Sequence, residues 1–216
     1  ELLLIEAKDP SKFQEKENQY KDLGLKEYQK VIDKYPDSLE VTLLAREKIA
    51  DFYNEKIKDY KKASELYDTI IKKQSVWSNL DRVLLKLGKL QSEKLEEDKF
   101  RLQAIETLKR LIDQFPNSKY ADDAVFTIAK TYEKIGEMQH AIKWYDMLKT
   151  KYPESEYIEE AKFRVARIYQ DQKEFEKAEK EFEKLLSEHP DGKLADQAKA
   201  MKKKLNQEQT QEKIRV

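Results

Sequence analysis

The chain has 216 residues, and its 43 basic side chains balance 43 acidic ones, so its formal charge is zero although 40% of its residues are charged. This balance argues against a general nucleic-acid binder, which needs a net cationic surface. Cysteine is absent, which excludes disulfides and a thiol nucleophile, and four glycines and five prolines are too few for the turns of a β-sandwich or β-barrel.

The sequence begins at Glu1 rather than at methionine, so any signal or lipid-attachment segment would precede it. The longest apolar run, Leu2-Leu3-Leu4-Ile5, falls far short of the roughly 18 residues of a membrane span. Membrane association is therefore expected only through such an N-terminal lipid anchor.

The chain contains internal repeats. Pro116, Pro153 and Pro190 follow one another at intervals of 37 residues. Alanine recurs at the same interval in two further sets: Ala104, Ala141 and Ala178, and Ala124, Ala161 and Ala198. Within each period apolar residues recur at i, i+3 and i+4 in two stretches, which predicts two helices. Each period is therefore predicted to be a helical hairpin.

Six segments follow in chain order. They are N-terminal helices with a partial repeat, four repeats, and a C-terminal capping helix with a tail: 1–37, 38–75, 76–116, 117–153, 154–190 and 191–216. The repeat at 76–116 carries extra residues near Glu96-Glu97-Asp98, which we expect to lengthen its hairpin loop. The predicted fold class is all-α.

The hairpins resemble the tetratricopeptide repeat, in which the first helix carries a small residue and a tyrosine and the second an alanine and an aromatic. The matching residues of two consecutive repeats are Ile128-Ala129-x2-Tyr132, Gly136 and Ala141-x3-Tyr145, then Val165-Ala166-x2-Tyr169 and Ala178-x3-Phe182. The position of Gly136 is taken by Lys173 in the second of them. The resemblance covers residues 24–205 and implies a right-handed α-solenoid of about four to five stacked helix-turn-helix repeats with a concave face lined by first helices.

The junctions between repeats point to a subset of this family. Tyr35-Pro36-Asp37-Ser38 and Tyr152-Pro153-Glu154-Ser155 resemble junctions common in bacterial cell-envelope proteins. These include outer-membrane-protein assembly lipoproteins of the BamD type and Tol-Pal coordinator proteins of the YbgF/CpoB type. The resemblance implies a periplasmic or outer-membrane-associated protein, with a cytoplasmic location as the alternative.

The sequence offers little support for catalysis. His140 and His189 lie on different hairpins without a second histidine at metal-ligand spacing, and the four glycines are isolated rather than grouped in a phosphate loop. Acidic pairs such as Asp122-Asp123 suit the starts of helices. We therefore expect no enzyme activity, no cofactor and no metal site.

The candidate partner-binding residues lie on the first helices, between the core positions. They form four pairs at i and i+4: Glu47 and Asp51, Leu85 and Lys89, Phe126 and Lys130, and Phe163 and Arg167. One hypothesis is that the two phenylalanines form an apolar track beside Lys89, Lys130 and Arg167, which holds a partner segment with acidic groups. The alternative, which the spacing favours, is that both phenylalanines pack between repeats.

Two functions fit these observations. The first is a non-enzymatic scaffold that binds a partner protein or peptide in its concave groove, in a bacterial envelope assembly. The second is a structural spacer or self-assembling repeat module of a larger complex, in which exposed ends associate. Neither function involves nucleic acid.

Overall fold

The computed structural model describes residues 10–73 and 77–215, and every regular element among them is helical. In chain order the α-helices are α1 (Pro10–Lys34), α2 (Leu39–Phe52), α3 (Tyr60–Lys73), α4 (Leu80–Glu93), α5 (Asp98–Gln114), α6 (Ala121–Lys134), α7 (Met138–Lys151), α8 (Ile158–Asp171), α9 (Phe175–Glu188) and α10 (Ala195–Arg215). The all-α repeat fold expected from the sequence is confirmed. None of the helices in the described ranges is long and apolar enough to cross a membrane.

The helices form two compact units, Glu1–Thr107 and Leu108–Val216, whose boundary falls inside α5. In the first unit α1 packs against α2, α2 pairs with α3, and α3 packs against α4. In the second unit α6 pairs with α7 and α8 with α9, and α10 packs against α9. Any helix before α1 would lie in residues 1–9, outside the described residues.

The recurring alanines lie where helices cross. All six members of the two 37-residue series are completely buried: Ala104, Ala141, Ala178, Ala124, Ala161 and Ala198. A methyl side chain lets neighbouring helix backbones approach closely, and large aromatics fill the space beside these crossings. Tyr145 and Phe182, four residues after an alanine of the second helix, are also completely buried. The 37-residue period of the sequence therefore corresponds to a repeated set of packing contacts between helices.

The turns inside three of the hairpins, α2–α3, α6–α7 and α8–α9, each contain a left-handed residue. Lys58, Gly136 and Lys173 have φ values of 63°, 81° and 61°, and each stands five residues before the alanine of the second helix. At Lys173 the amide of Glu174 donates to the Tyr169 carbonyl and the Lys173 amide to that of Gln170, which closes the end of α8 as a Schellman motif. Glycine adopts this conformation without strain, whereas lysine does not.

Extra residues in the first two full repeats are absorbed in helical structure. The π-helical turn Tyr53–Ile57 follows α2 and accommodates an added residue before the hairpin turn. The insertion near Glu96, which we expected in a loop, mainly lengthens α5, which has 17 residues where α7 and α9 have 14. Polar residues suit an exposed first helical turn as well as a loop, so composition did not distinguish the two.

The strained turn gives a stability prediction. We expect Lys173→Gly to raise the free energy of unfolding by about 0.5–1 kcal/mol, because relief of the left-handed strain exceeds the extra chain entropy of glycine. Urea denaturation followed by circular dichroism measures this change. The reverse substitution, Gly136→Lys, should destabilise the protein by a similar amount. A neutral or destabilising effect of Lys173→Gly would show that the turn imposes no strain.

Candidate functional site

Glu47 on α2 is the centre of an ion-pair cluster in the first unit. Its carboxylate accepts hydrogen bonds from Arg82 Nε at 2.9 Å and Arg82 Nη2 at 2.7 Å, and a third from Lys86 Nζ at 2.7 Å. Only 1% of Glu47 is exposed. A carboxylate buried to this degree requires such partners, because loss of one would leave an uncompensated charge.

Asp51, one turn further along α2, extends the cluster. Lys86 Nζ donates to its Oδ1 at 2.7 Å, and the buried Tyr67 hydroxyl donates to the same oxygen at 2.6 Å. Burial by itself raises the pKa of the Asp51 carboxyl, but the hydrogen bonds from Lys86 and Tyr67 outweigh it and hold that pKa below its ordinary value. Burial and the Asp51 charge raise the pKa of Tyr67 well above its usual range, so its hydroxyl stays a donor.

Sequence analysis missed Arg82 and Lys86, which lie on the first helix of the next repeat. The sequence signal for this pairing was present: two basic residues, one helical turn apart, follow about one repeat after two acidic residues with the same separation. Lys89 lines a groove of about 220 Å³ together with Asp51 and Lys86, whereas Leu85 belongs to the core. Several charged side chains on this face of the first unit are therefore engaged in ion pairs within the chain.

Phe126 of the second unit is covered by aromatic rings. Its ring stacks on that of Tyr157 with centroids 4.6 Å apart, and it packs at a tilt against Tyr145 at 5.8 Å. Lys130 Nζ lies 5.3 Å from the Phe126 ring centroid, a cation–π distance. With 4% of the residue exposed, Phe126 serves packing between consecutive repeats.

Phe163 is also a packing residue, although it borders a groove. Its ring meets that of Phe182 edge to face at 5.8 Å, and it belongs to a buried cluster with Ala166, Leu185 and Ala198. The alternative of packing between repeats thus describes both phenylalanines. The partner-binding role assigned to the four residue pairs stays a prediction.

A groove of about 330 Å³ lies on the face of the second unit formed by its first helices. We call it the first-helix groove, and six residues define it: Phe163, Arg164, Arg167, Ile168, Asp171 and Leu194. Phe163, Ile168 and Leu194 supply its apolar surface. It therefore brings together Phe163 and Arg167, one of the four predicted pairs.

The two arginines of the first-helix groove differ in whether they form ion pairs. Arg164 pairs with Glu160 at 2.7 Å and with Glu133 at 3.3 Å, and Glu133 also accepts a hydrogen bond from the Tyr145 hydroxyl. Arg167 is exposed, and no acidic residue in the described part of the chain forms an ion pair with it. The groove consequently offers one uncommitted guanidinium beside an apolar wall.

No cluster of three or more acidic or histidine side chains in the described ranges is arranged to hold a metal ion. His140 Nδ1 lies 3.1 Å from Glu137 Oε2, and its ring stacks on Tyr132 at 5.1 Å. These local contacts explain the position of the His140 side chain, the more exposed of the two histidines, without a metal ion.

The ion-pair cluster predicts a pH-dependent stability difference. We expect Asp51→Asn to lower the free energy of unfolding at pH 7 by about 1.5–3 kcal/mol, because hydrogen bonds to a charged group are lost. The folded-state pKa of Asp51 lies below its ordinary value of 3.8, so its contribution is complete above that pH and is lost as the pH falls through the folded pKa. In urea titrations the difference between the two proteins should therefore shrink as the pH falls below 3.8.

A matched control is Asp37→Asn, which changes an exposed carboxylate of the same unit. It should alter the free energy of unfolding by less than about 0.5 kcal/mol at both neutral and acidic pH. A difference for Asp51→Asn that stays constant from neutral to acidic pH would contradict the assignment of an ionised, hydrogen-bonded Asp51.

Comparison with known proteins identifies similar folds. A family model described as a tetratricopeptide repeat-like domain matches residues 38–202. No curated protein sequence matches the chain significantly.

Solved structures align over most of the chain. A structure of MamA is 20% identical with a TM-score of 0.61, over 77% of this chain and 86% of that one. YrrB, described as a TPR protein with an unusual peptide-binding site, is 21% identical with a TM-score of 0.57, over 84% and 89%. A tetratricopeptide repeat protein from Parabacteroides merdae ATCC 43184 is 18% identical with a TM-score of 0.57, over 84% and 60%. These identities support likeness of fold alone.

Proposed function

Because the chain belongs to the tetratricopeptide repeat-like family, we propose that it is a non-enzymatic scaffold that binds a segment of a partner polypeptide. The proposed site is the first-helix groove of the second unit. The observation that carries this proposal is the exposed Arg167 guanidinium beside the apolar surface of Phe163, Ile168 and Leu194. The peptide-binding site ascribed to YrrB supports a peptide ligand for this fold.

The chemistry of the groove favours a partner segment with an acidic side chain next to an aliphatic one. A guanidinium can bind a carboxylate through two parallel charge-assisted hydrogen bonds, and the apolar wall removes an adjacent aliphatic side chain from water. Asp171 lies one turn beyond Arg167 and is exposed, so it repels a second acidic side chain at that end. The two charges together would orient the bound segment.

We propose further that the partner belongs to a bacterial cell-envelope assembly. The junctions at Tyr35-Pro36 and Tyr152-Pro153 support this location by their resemblance to envelope proteins. In this proposal the protein is periplasmic or associated with the outer membrane. Fractionation of the source cells tests it, and recovery of the protein in the cytoplasm alone would contradict it.

Arg167 provides the sharpest test of the groove. A random-peptide library displayed on phage and selected against the protein supplies the probe, and the most enriched peptide is then synthesised with a fluorescent label. We expect enriched peptides to contain acidic and aliphatic residues. Arg167→Ala should weaken binding at least about tenfold in fluorescence anisotropy, since charge-assisted hydrogen bonds contribute about 1.5–3 kcal/mol.

Lys180→Ala is the matched control, because it removes an exposed cation from α9 of the same unit. Its affinity for the peptide should stay within about twofold of that of the unchanged protein. Phe163→Ala is a poor test, since truncation of a buried phenylalanine costs about 3–5 kcal/mol of stability. Selection without enrichment, or equal binding by Arg167→Ala and Lys180→Ala, would refute the proposed site. Light scattering that shows a mass rising with concentration would favour the self-assembling alternative.

A further inference from the structure

The first unit carries a second groove, on the face formed by the second helices of its hairpins. It has a volume of about 520 Å³ and lies between α3 and α5, with α4 contributing to it. We call it the second-helix groove, and six residues define it: Glu65, Asp68, Gln91, Phe100, Leu102 and Glu106. It shares no residue with the first-helix groove.

Leu102 gives this groove an apolar contact point. Leu102 is 53% exposed, and the half-buried Phe100 lies in the same groove. Leu23 and Leu39 are exposed to the same extent but do not line the groove. A single exposed leucine needs no explanation, so it is the combination with a cavity and an aromatic that distinguishes Leu102.

Gln91 supplies a buried polar group. Only 6% of this residue is exposed, and its Oε1 accepts a hydrogen bond from the Thr107 hydroxyl at 3.2 Å. Within the described ranges no protein acceptor takes a hydrogen bond from its Nε2. The backbone carbonyl of a bound segment would accept a hydrogen bond from this amide group.

The charge of the second-helix groove is acidic. Glu65, Asp68 and Glu106 line it, against the single cation Lys72. Lys72 is already paired with Asp68 at 2.5 Å, and Glu65, whose side chain is 71% exposed, has Lys62 at 3.7 Å as its cationic neighbour. Surface pairs of this kind contribute little energy, and three carboxylates against one cation leave the lining with an excess of acidic groups that a basic side chain would complement.

We propose that the second-helix groove is a separate docking surface for a segment of a partner polypeptide that carries aliphatic and basic side chains. An aliphatic side chain packs on Leu102 and Phe100, a basic side chain pairs with Glu65, and a backbone carbonyl accepts a hydrogen bond from Gln91. The ligand chemistry is opposite in charge to that of the first-helix groove. The protein thereby has two surfaces that select different segments.

Labelled synthetic peptides test this proposal. One probe is a heptapeptide of alternating lysine and leucine, and the matched probes replace either all lysines with glutamate or all leucines with alanine. We expect the lysine-leucine peptide to bind more tightly than either control at about 0.15 M salt, where surface attraction is largely screened. Leu102→Ala and Glu65→Lys should each weaken its binding at least fivefold in fluorescence anisotropy.

Leu39→Ala is the matched control for Leu102→Ala, because the two leucines are equally exposed and only Leu102 lines the groove. Circular dichroism checks that every variant keeps its helices. Equal effects of Leu39→Ala and Leu102→Ala, equal binding of the glutamate peptide, or no binding of the lysine-leucine peptide would overturn the proposal. Arg167→Ala should leave this binding unchanged, so failure here is distinct from failure of the first-helix groove.

Discussion

The close approach of helix backbones at the recurring alanines is the constraint on which this structure depends. Ala141 and Ala178 are completely buried, as are their counterparts on first helices, Ala124, Ala161 and Ala198. A larger side chain at any of these crossings would force the helices apart, and overpacking of this kind costs about 1–3 kcal/mol. Because the alanines repeat every 37 residues, the crossings repeat too, and the remaining side chains are sorted into packing positions and surface positions by their distance from an alanine.

One such position is buried in every repeat although its chemistry changes. Glu47, Leu85, Phe126 and Phe163 occupy equivalent places two residues after a core alanine or valine, and their exposed fractions are 1%, 7%, 4% and 9%. For two of them the next repeat supplies the cover: Arg82 and Lys86 contact Glu47, and Tyr157 stacks on Phe126. The same contact is therefore an ion-pair cluster in the first unit and an aromatic one in the second. Asp51, Lys89 and Arg167, one turn later, line grooves, and Phe163 itself borders one.

The sequence predicted the hairpins well because alanine spacing and helical periodicity are both local properties of the chain. The left-handed turn at Lys173 was visible only as the counterpart of Gly136. Burial of Phe126 was the alternative that the spacing favoured, whereas burial of Glu47 was not predictable from one helix, since it depends on the register between helices of neighbouring repeats. The extension of α5 was missed because acidic residues such as Glu97 and Asp98 suit a loop and a helix start equally. The second-helix groove has no sequence signature, as its residues come from three helices.

Zero net charge conceals how the charged residues are used. In the first unit Glu47 and Asp51 are consumed by Arg82 and Lys86, so four formal charges cancel inside the molecule and contribute little to what a partner meets. Other charges lie at the surface that a partner meets, with Arg167 in one groove and Glu65 in the other. Screening at physiological salt limits each of these fields to about 8 Å. The charge that governs recognition is therefore that of each groove, because opposite local charges cancel in the net charge of the whole chain.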